Sequence, residues 1–139
     1  MNDKIFLDTN ILVYANDKSN STKQNIAKQI IFESVRSETG VISTQVLSEF
    51  YVTVTRKIQV PLSVESAQTQ IRLFKGLEIV AIDFPLIQDA IAISQQHLLS
   101  YWDSLILAAA KREKCATLLT EDLNHGQEIE SVKVKNPFI

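Results

Sequence analysis

The sequence predicts an α/β domain with a mainly parallel central sheet of four to five strands and helices on both faces. Short apolar runs typical of strands alternate with longer segments whose apolar residues recur at helical spacing. Strands that alternate with helices usually pair in parallel, and both faces of such a sheet are covered. The 139 residues contain three glycines, three prolines and no low-complexity segment. We therefore expect one domain over residues 1–139.

The strand pattern is clearest at residues 4–7, where a short apolar run stops at Asp8-Thr9-Asn10. Asp, Thr and Asn favour caps and turns, so the first strand should end there. Further strands are expected at residues 40–43, 78–82 and 117–120, with a short fifth at 132–134.

Helical spacing predicts six helices, at about residues 11–15, 23–37, 44–57, 63–74, 85–97 and 100–114. Ser21 and Gln24 have the spacing of a capping box, and Ser43 or Thr44 is expected to cap the third helix. Asp83 is expected to cap the fifth helix. The sixth helix is apolar on every side between residues 105 and 110, which is typical of a buried helix.

Composition excludes several classes of protein. No apolar run approaches the roughly 18 residues of a membrane span, and residues 1–4 lack the features of a signal peptide. The single cysteine, Cys115, excludes an internal disulfide framework, and the two separated histidines disfavour a His-based metal site. We therefore expect a cytoplasmic protein without membrane association, in which oxygen atoms would hold any metal ion.

Acidic residues follow two of the predicted strands. Asp8 comes directly after the first strand, and Asp122 comes two residues after Thr120 in the fourth. Parallel strands place both at the same edge of the sheet, where ligands of such folds collect. Glu49 can lean toward this edge because helical side chains tilt toward the helix N-terminus. Asp103 lies in the first turn of the sixth helix, where the helix dipole stabilises a carboxylate.

Four carboxylates at one edge repel one another unless some are protonated or a cation neutralises them. Oxygen ligands without sulfur or imidazole favour Mg²⁺ or Mn²⁺. The expected reaction is phosphodiester hydrolysis by a metal-activated water, with one or two metal ions. The net charge of -2 excludes nucleic-acid binding through general basicity. Without the four acids the remaining chain carries +2, so a phosphate substrate held locally through metal remains compatible with it.

Each acid also has a structural interpretation that is independent of chemistry. Asp8 can be a turn residue, Glu49 a solvated acid on a helix flank, Asp103 part of a capping box with Ser100, and Asp122 a loop residue. The functional interpretation therefore depends on the set of four.

Neighbouring polar residues have the same two interpretations. Thr9 and Asn10 can orient Asp8 or hold a metal-bound water, or they can cap the next helix. Ser104 and Thr120 can likewise support the site or serve the fold. Cys115 is expected to be a small buried hydrophobe. Trp102 is expected to pack against the sheet, although an aromatic residue beside Asp103 can also meet a nucleobase.

The four acids lie in segments 6–12, 43–51, 101–110 and 119–126. In their order and content, these segments resemble the PIN domain family, and more closely the small VapC-like toxins of bacterial toxin–antitoxin pairs. The resemblance implies a three-layer PIN-like domain and a Mg²⁺- or Mn²⁺-dependent ribonuclease. It assigns Asp8, Asp103 and Asp122 to metal binding, and Glu49 to metal binding or to positioning the attacking water.

The resemblance also implies two protein partners. One is a second copy of the chain, and the apolar residues between Val52 and Phe74 can serve such a homodimer interface. The other is a cognate antitoxin, whose C-terminal segment usually blocks the acidic site, often with an arginine that pairs with the carboxylates.

Two other functions stay open. A catalytically inactive PIN module could bind RNA or a protein partner, although a pure binder gains little from clustered acids near phosphates. A phosphatase of the haloacid dehalogenase class would use Asp8 as its nucleophile, but Asn10 stands where that class has a second aspartate.

Overall fold

The strands and helices of the computed structural model, which describes residues 4–139, alternate along most of the chain. In chain order they are β1 (Ile5–Leu7), α1 (Thr9–Tyr14), α2 (Ser21–Arg36), β2 (Gly40–Ser43), α3 (Thr44–Arg56), α4 (Val64–Leu73), β3 (Glu78–Val80), α5 (Phe84–His97), α6 (Tyr101–Arg112), β4 (Thr117–Leu119), β5 (Glu128–Ile129) and β6 (Val132–Lys135). A short 3₁₀ turn, Phe74–Gly76, follows α4. The interpretation of the N-terminal sequence at residues 1–3 lies outside the described residues.

The strands form one sheet in the order β3-β2-β1-β4-β6-β5. All neighbours pair in parallel except β5 and β6, which are antiparallel. The predicted α/β fold with a mainly parallel sheet is therefore confirmed, with six strands among residues 4–139 in place of four to five. The additional strand, β5, has two residues and is too short to show a periodic pattern.

Side-chain caps begin most of the helices as the sequence predicts. Ser43, Asp83 and Ser100 each accept a hydrogen bond from a backbone N–H in the first turn of the following helix. The predicted capping box at Ser21 is wrong, because Asn20 caps α2 by accepting from the Lys23 backbone N–H at 3.1 Å. Asparagine is as favourable as serine at the N-cap position, so α2 begins at Ser21, directly after Asn20.

Helix α6 is buried along residues 104–110, as its apolar composition predicts, and it packs on β2, β4, β6 and α5. Gly40 in β2 allows the side chains of Leu77 and Ser34 to lie close to the backbone of the sheet. A Cβ atom at this position would lie 2.4 Å from Leu77 Cδ2 and 2.7 Å from Ser34 Cβ. A larger residue would therefore push β2 away from its neighbours.

Three expectations about single residues and helices can be compared with the structure. Cys115 is buried, as expected. The expectation that Trp102 packs against the sheet is wrong: 61% of the residue is exposed, because it lies in the first turn of α6, before the buried part of the helix begins. In the part of the chain from residue 4 onward, no helix is long and apolar enough to cross a membrane.

Candidate active site

The parallel pairing of β1 and β4 brings the first two acidic segments together. Leu7 pairs with Leu119, and the Asp8 backbone N–H donates to the Leu119 carbonyl at 3.0 Å. Asp8 and Thr120 therefore leave adjacent strands at the same edge of the sheet, as the sequence predicts.

Asp8 is almost completely buried, with 5% of its surface exposed. Its Oδ1 accepts from the Thr9 backbone N–H and its Oδ2 accepts from the Thr120 hydroxyl, both at 2.7 Å. Burial raises the pKa of Asp8 from 3.8 to about 6, and the negative charges of Asp122 and Glu49 add to this effect. The two hydrogen bonds oppose the rise, so a buried carboxylate is held in place at considerable electrostatic cost.

Glu49 is connected to this group through Thr9. The Thr9 hydroxyl donates to Glu49 Oε1 at 2.7 Å, so α1 and α3 meet at the two acids. Gln45, one helical turn before Glu49, donates through Nε2 to Glu49 Oε2 at 3.3 Å and to the Trp102 carbonyl at 3.2 Å. The Gln45 amide thereby ties Glu49 to the beginning of α6, where Asp103 lies.

The fully buried Thr120 hydroxyl organises the loop after β4. Besides donating to Asp8, its Oγ1 accepts from the Asp122 backbone N–H at 3.0 Å and from Asn10 Nδ2 at 3.4 Å. Asn10 Nδ2 also donates to Asp122 Oδ2 at 3.1 Å. Thr9, Asn10 and Thr120 therefore all contact acids of the predicted site.

Asp103 and Asp122 complete the acidic edge. Desolvation raises the pKa of Asp122, and the next largest cause is the negative charge of Asp103. The Asp103 backbone N–H donates to Ser100 Oγ at 3.1 Å, which is the first of the two hydrogen bonds of the capping box expected between Ser100 and Asp103. The Ser104 hydroxyl instead donates to the Ser100 carbonyl at 2.8 Å, within its own helix and not to an acid.

Three contributors were not singled out from the sequence: Gln45, Tyr14 and Lys23. Lys23 Nζ lies 2.8 Å from Glu121 Oε2, and the Tyr14 hydroxyl donates to Glu121 Oε1. The Glu121 carboxylate is thus bound to α1 and α2, which holds the loop that carries Asp122. The spacing of Gln45 to Glu49 is visible in sequence, whereas contacts across more than 90 residues are not.

The donor set fits a hard divalent cation. All four acids offer oxygen, and the buried Asn10 Oδ1 has no hydrogen-bond partner among residues 4–139. Across the same residues, no three His, Cys, Asp or Glu side chains already converge as ligands of one ion. In this arrangement the Asp8 and Glu49 oxygens instead accept from the hydroxyls of Thr120 and Thr9, which can rotate.

Solved structures of toxin–antitoxin proteins have the same fold. A toxin–antitoxin complex from Klebsiella pneumoniae is 21% identical, with a TM-score of 0.70 over 96% of this chain and 98% of that chain. VapC20 from Mycobacterium tuberculosis, a sarcin–ricin loop cleaving toxin, is 17% identical, with a TM-score of 0.65 over 83% and 87%. VapBC2 from Rickettsia felis, bound to a DNA fragment from its promoter, is 23% identical, with a TM-score of 0.65 over 95% and 97%.

No curated protein matches the sequence. The model of the PIN domain family matches residues 5–127, a span that contains β1 to β4 and all four acids. The chain therefore belongs to the PIN domain family.

Proposed function

We propose that this protein is a divalent-metal-dependent endoribonuclease that hydrolyses phosphodiester bonds of RNA and is the toxin of a toxin–antitoxin pair. The observation that carries the proposal is the acidic edge, where the buried Asp8 is linked through Thr9 to Glu49 and through Thr120 to the Asp122 loop. Buried negative charge of this kind is unfavourable by itself and becomes favourable beside a cation. Membership of a nuclease family and the fold shared with VapC toxins support the same conclusion.

Asp8, Asp103 and Asp122 would hold Mg²⁺ or Mn²⁺, and Glu49 would hold metal or position the attacking water. When bound, the ion supplies an activated water and offsets charge on the phosphate. Thr120 and the Thr9 backbone orient both oxygens of Asp8, while the Thr9 hydroxyl and Gln45 orient those of Glu49. The chain thus fixes the orientation of Asp8 and Glu49 before substrate arrives.

The test is cleavage of a labelled RNA by the full chain with Mg²⁺ or Mn²⁺. Asp8→Asn and Asp103→Asn should each abolish cleavage while circular dichroism shows an unchanged fold. Asp83→Asn is the matched control, because Asp83 also follows a strand but is exposed and paired with Arg112. Cleavage that persists in excess EDTA would refute the proposal. RNA binding without cleavage in either metal would favour an inactive PIN module.

A cognate antitoxin is part of the same proposal. An apolar groove of about 610 Å³ lies between α2 and α4, where Phe32 and Leu73 expose more than half of their surface. Such a groove supports a protein partner. An arginine of that partner would pair bidentately with the acids of the site and block it. Co-expression with the cognate antitoxin should therefore suppress RNA cleavage, and activity that is unaffected by a bound antitoxin would contradict this part.

A homodimer is also proposed. Exposed apolar side chains support an interface on the predicted segment, and further ones lie on α5: Val52, Val60, Val64, Phe84, Ile87 and Ile91. Phe74, at the end of the predicted segment, is buried within the domain and is not available. Light scattering should show a dimer at micromolar concentration, and a stable monomer would contradict it.

A further inference from the structure

A pocket of about 470 Å³ opens beside the acidic edge, between the first turns of α3 and α6. Glu49 forms part of its wall and also belongs to the acidic edge through the Thr9 hydroxyl. Trp102 also lines the pocket, and Asp103 is the next residue in the chain. A molecule in this pocket is therefore adjacent to the proposed phosphate-cleaving centre.

Trp102 presents an aromatic surface at this pocket. With 61% of the residue exposed, its indole is not part of the core, and it is braced by a T-shaped contact with Tyr101 at 5.1 Å between ring centroids. A large exposed aromatic side chain is costly to hydrate and is suited to stacking on a nucleobase.

The polar groups of the pocket can pair with the edge of a base. The Gln45 amide nitrogen is committed to Glu49 and to the Trp102 carbonyl, both of which are acceptors, and this fixes the orientation of the amide. Gln45 is 91% buried, and its Oε1 atom is consequently left without a hydrogen-bond partner among residues 4–139. An unpaired buried acceptor is unfavourable, and Gln45 lines this pocket, so a ligand whose hydrogen-bond donor displaces the atoms that cover Oε1 would gain affinity there.

The hydroxyls of Thr44 and Ser48 can make further hydrogen bonds to a ligand. Thr44 Oγ1 accepts from the Ile82 backbone N–H at 3.1 Å, which leaves its proton for a ligand. Ser48 Oγ donates to the Thr44 carbonyl at 3.0 Å, which leaves its lone pairs. Among the described residues that line the pocket, Glu49 is the only charged one, so the surroundings disfavour an anion and favour a neutral group.

We propose that this pocket is a nucleobase subsite, in which Trp102 stacks on a base of single-stranded RNA next to the scissile phosphate and Gln45, Thr44 and Ser48 contact its edge. The inference rests on the proposed ribonuclease function and deepens it, because it gives the substrate an unpaired base at this position. Contacts with the base edge would also contribute to sequence preference, whereas stacking alone accepts every base.

Fluorescence tests the subsite directly, because Trp102 is the sole tryptophan of the chain. The full chain carrying Asp8→Asn, which leaves RNA intact under the proposed mechanism, is titrated with a mixed-sequence single-stranded RNA in Mg²⁺. An abasic oligonucleotide of the same length is the matched control, since it has the same phosphates and no bases. We expect quenching by the RNA and little or none by the abasic strand.

Steady-state kinetics of RNA cleavage, measured on Trp102 variants that keep Asp8, provide a second readout. Trp102→Ala should raise KM for the same RNA roughly 5- to 150-fold, the loss expected for one stacked base, with a much smaller change in kcat. Trp102→Phe should recover part of this loss because its ring can still stack. Since Trp102 is exposed, neither substitution should alter the secondary structure reported by far-ultraviolet circular dichroism.

Equal quenching by both strands, or unchanged KM in Trp102→Ala, would overturn the subsite even if the protein cleaves RNA. A tryptophan emission that changes with protein concentration in the absence of RNA would also overturn it and assign the pocket to an interface between copies. If the wild-type chain cleaves no RNA, the proposed function fails, whereas base-dependent quenching would still support the base-binding pocket. The two failures are thus distinguishable.

Discussion

Replacing Asp8 with asparagine should stabilise the metal-free protein at neutral pH. Burial raises the pKa of Asp8 from 3.8 to about 6, so the folded protein binds a proton at Asp8 more readily than the unfolded chain does. The stability supplied by this proton is fully present below about pH 4 and is lost as pH rises through about 6. Since each pKa unit corresponds to about 1.4 kcal/mol, the ionised Asp8 destabilises the fold by about 3 kcal/mol above that range.

Asparagine has nearly the shape of protonated aspartic acid and carries no charge, so Asp8→Asn should remove this pH-dependent penalty. Its Oδ1 can still accept from the Thr9 N–H that Asp8 caps. The unfolding free energy of Asp8→Asn relative to wild type should increase by about 2 kcal/mol between about pH 4.5 and pH 7.5, the part of the full effect that falls in this interval.

The assay is urea denaturation of both proteins in EDTA at a series of pH values. Because hydrogen-bond differences between the two side chains are nearly independent of pH, the change in their difference with pH isolates the charge. Asp83→Asn provides a control of opposite sign. Arg112 and the Leu86 N–H lower the pKa of Asp83, so its charge stabilises the fold, and its loss should cost stability at neutral pH and not at low pH.

A difference in unfolding free energy between Asp8→Asn and wild type that stays constant with pH would contradict this prediction. It would mean that Asp8 has an ordinary pKa in the folded protein, and that its carboxylate is not held in a desolvated site. Asp8 would then carry no buried negative charge that a cation has to neutralise.

Three further predictions concern metal binding at Asp8, the hydroxyl of Thr120 and the packing around Gly40. In thermal melts, Mg²⁺ at about a hundred times its Kd should raise the unfolding free energy of wild type by about 2.7 kcal/mol. Asp8→Asn should show little of this gain. An equal gain in both proteins would exclude Asp8 as a ligand of the ion. Thr120→Val should cost about 1–3 kcal/mol in urea denaturation and raise the pKa of Asp8 further, because it removes the hydroxyl that donates to Asp8 and accepts from the Asp122 N–H, whereas Thr120→Ser should lose much less. Gly40→Ala should lower the unfolding free energy by about 1–3 kcal/mol, since its Cβ would meet Leu77 and Ser34; a melt unchanged from wild type would show that β2 has room to move.

Much of the fold was predictable because its determinants are local. Caps such as Ser43, Asp83 and Ser100 act over three residues, and the apolar run of α6 reports burial without reference to any other element. The β5 strand was missed because two residues carry no period, and the cap of α2 was misplaced by one residue because Asn20 and Ser21 both suit the position.

The shared position of Asp8 and Asp122 was predictable for a different reason. Residues that follow parallel strands share one edge of the sheet, so the positions of Asp8 and Asp122 were determined once β1 and β4 were identified as strands. The interpretation of Thr9, Asn10 and Thr120 stayed open in sequence, since a hydroxyl that caps a helix and one that orients a distant acid look the same along the chain.

Periodicity and capping were enough to predict the class of the fold and the sheet edge that Asp8 and Asp122 share, because both are properties of neighbouring residues. The folded arrangement was needed to show that Thr120 contacts Asp8, that Gln45 joins Glu49 to the Trp102 carbonyl, and that Trp102 faces solvent beside the site. Exposure and long-range hydrogen bonds depend on which other elements cover a surface, and that is determined by the packing of segments far apart in the chain.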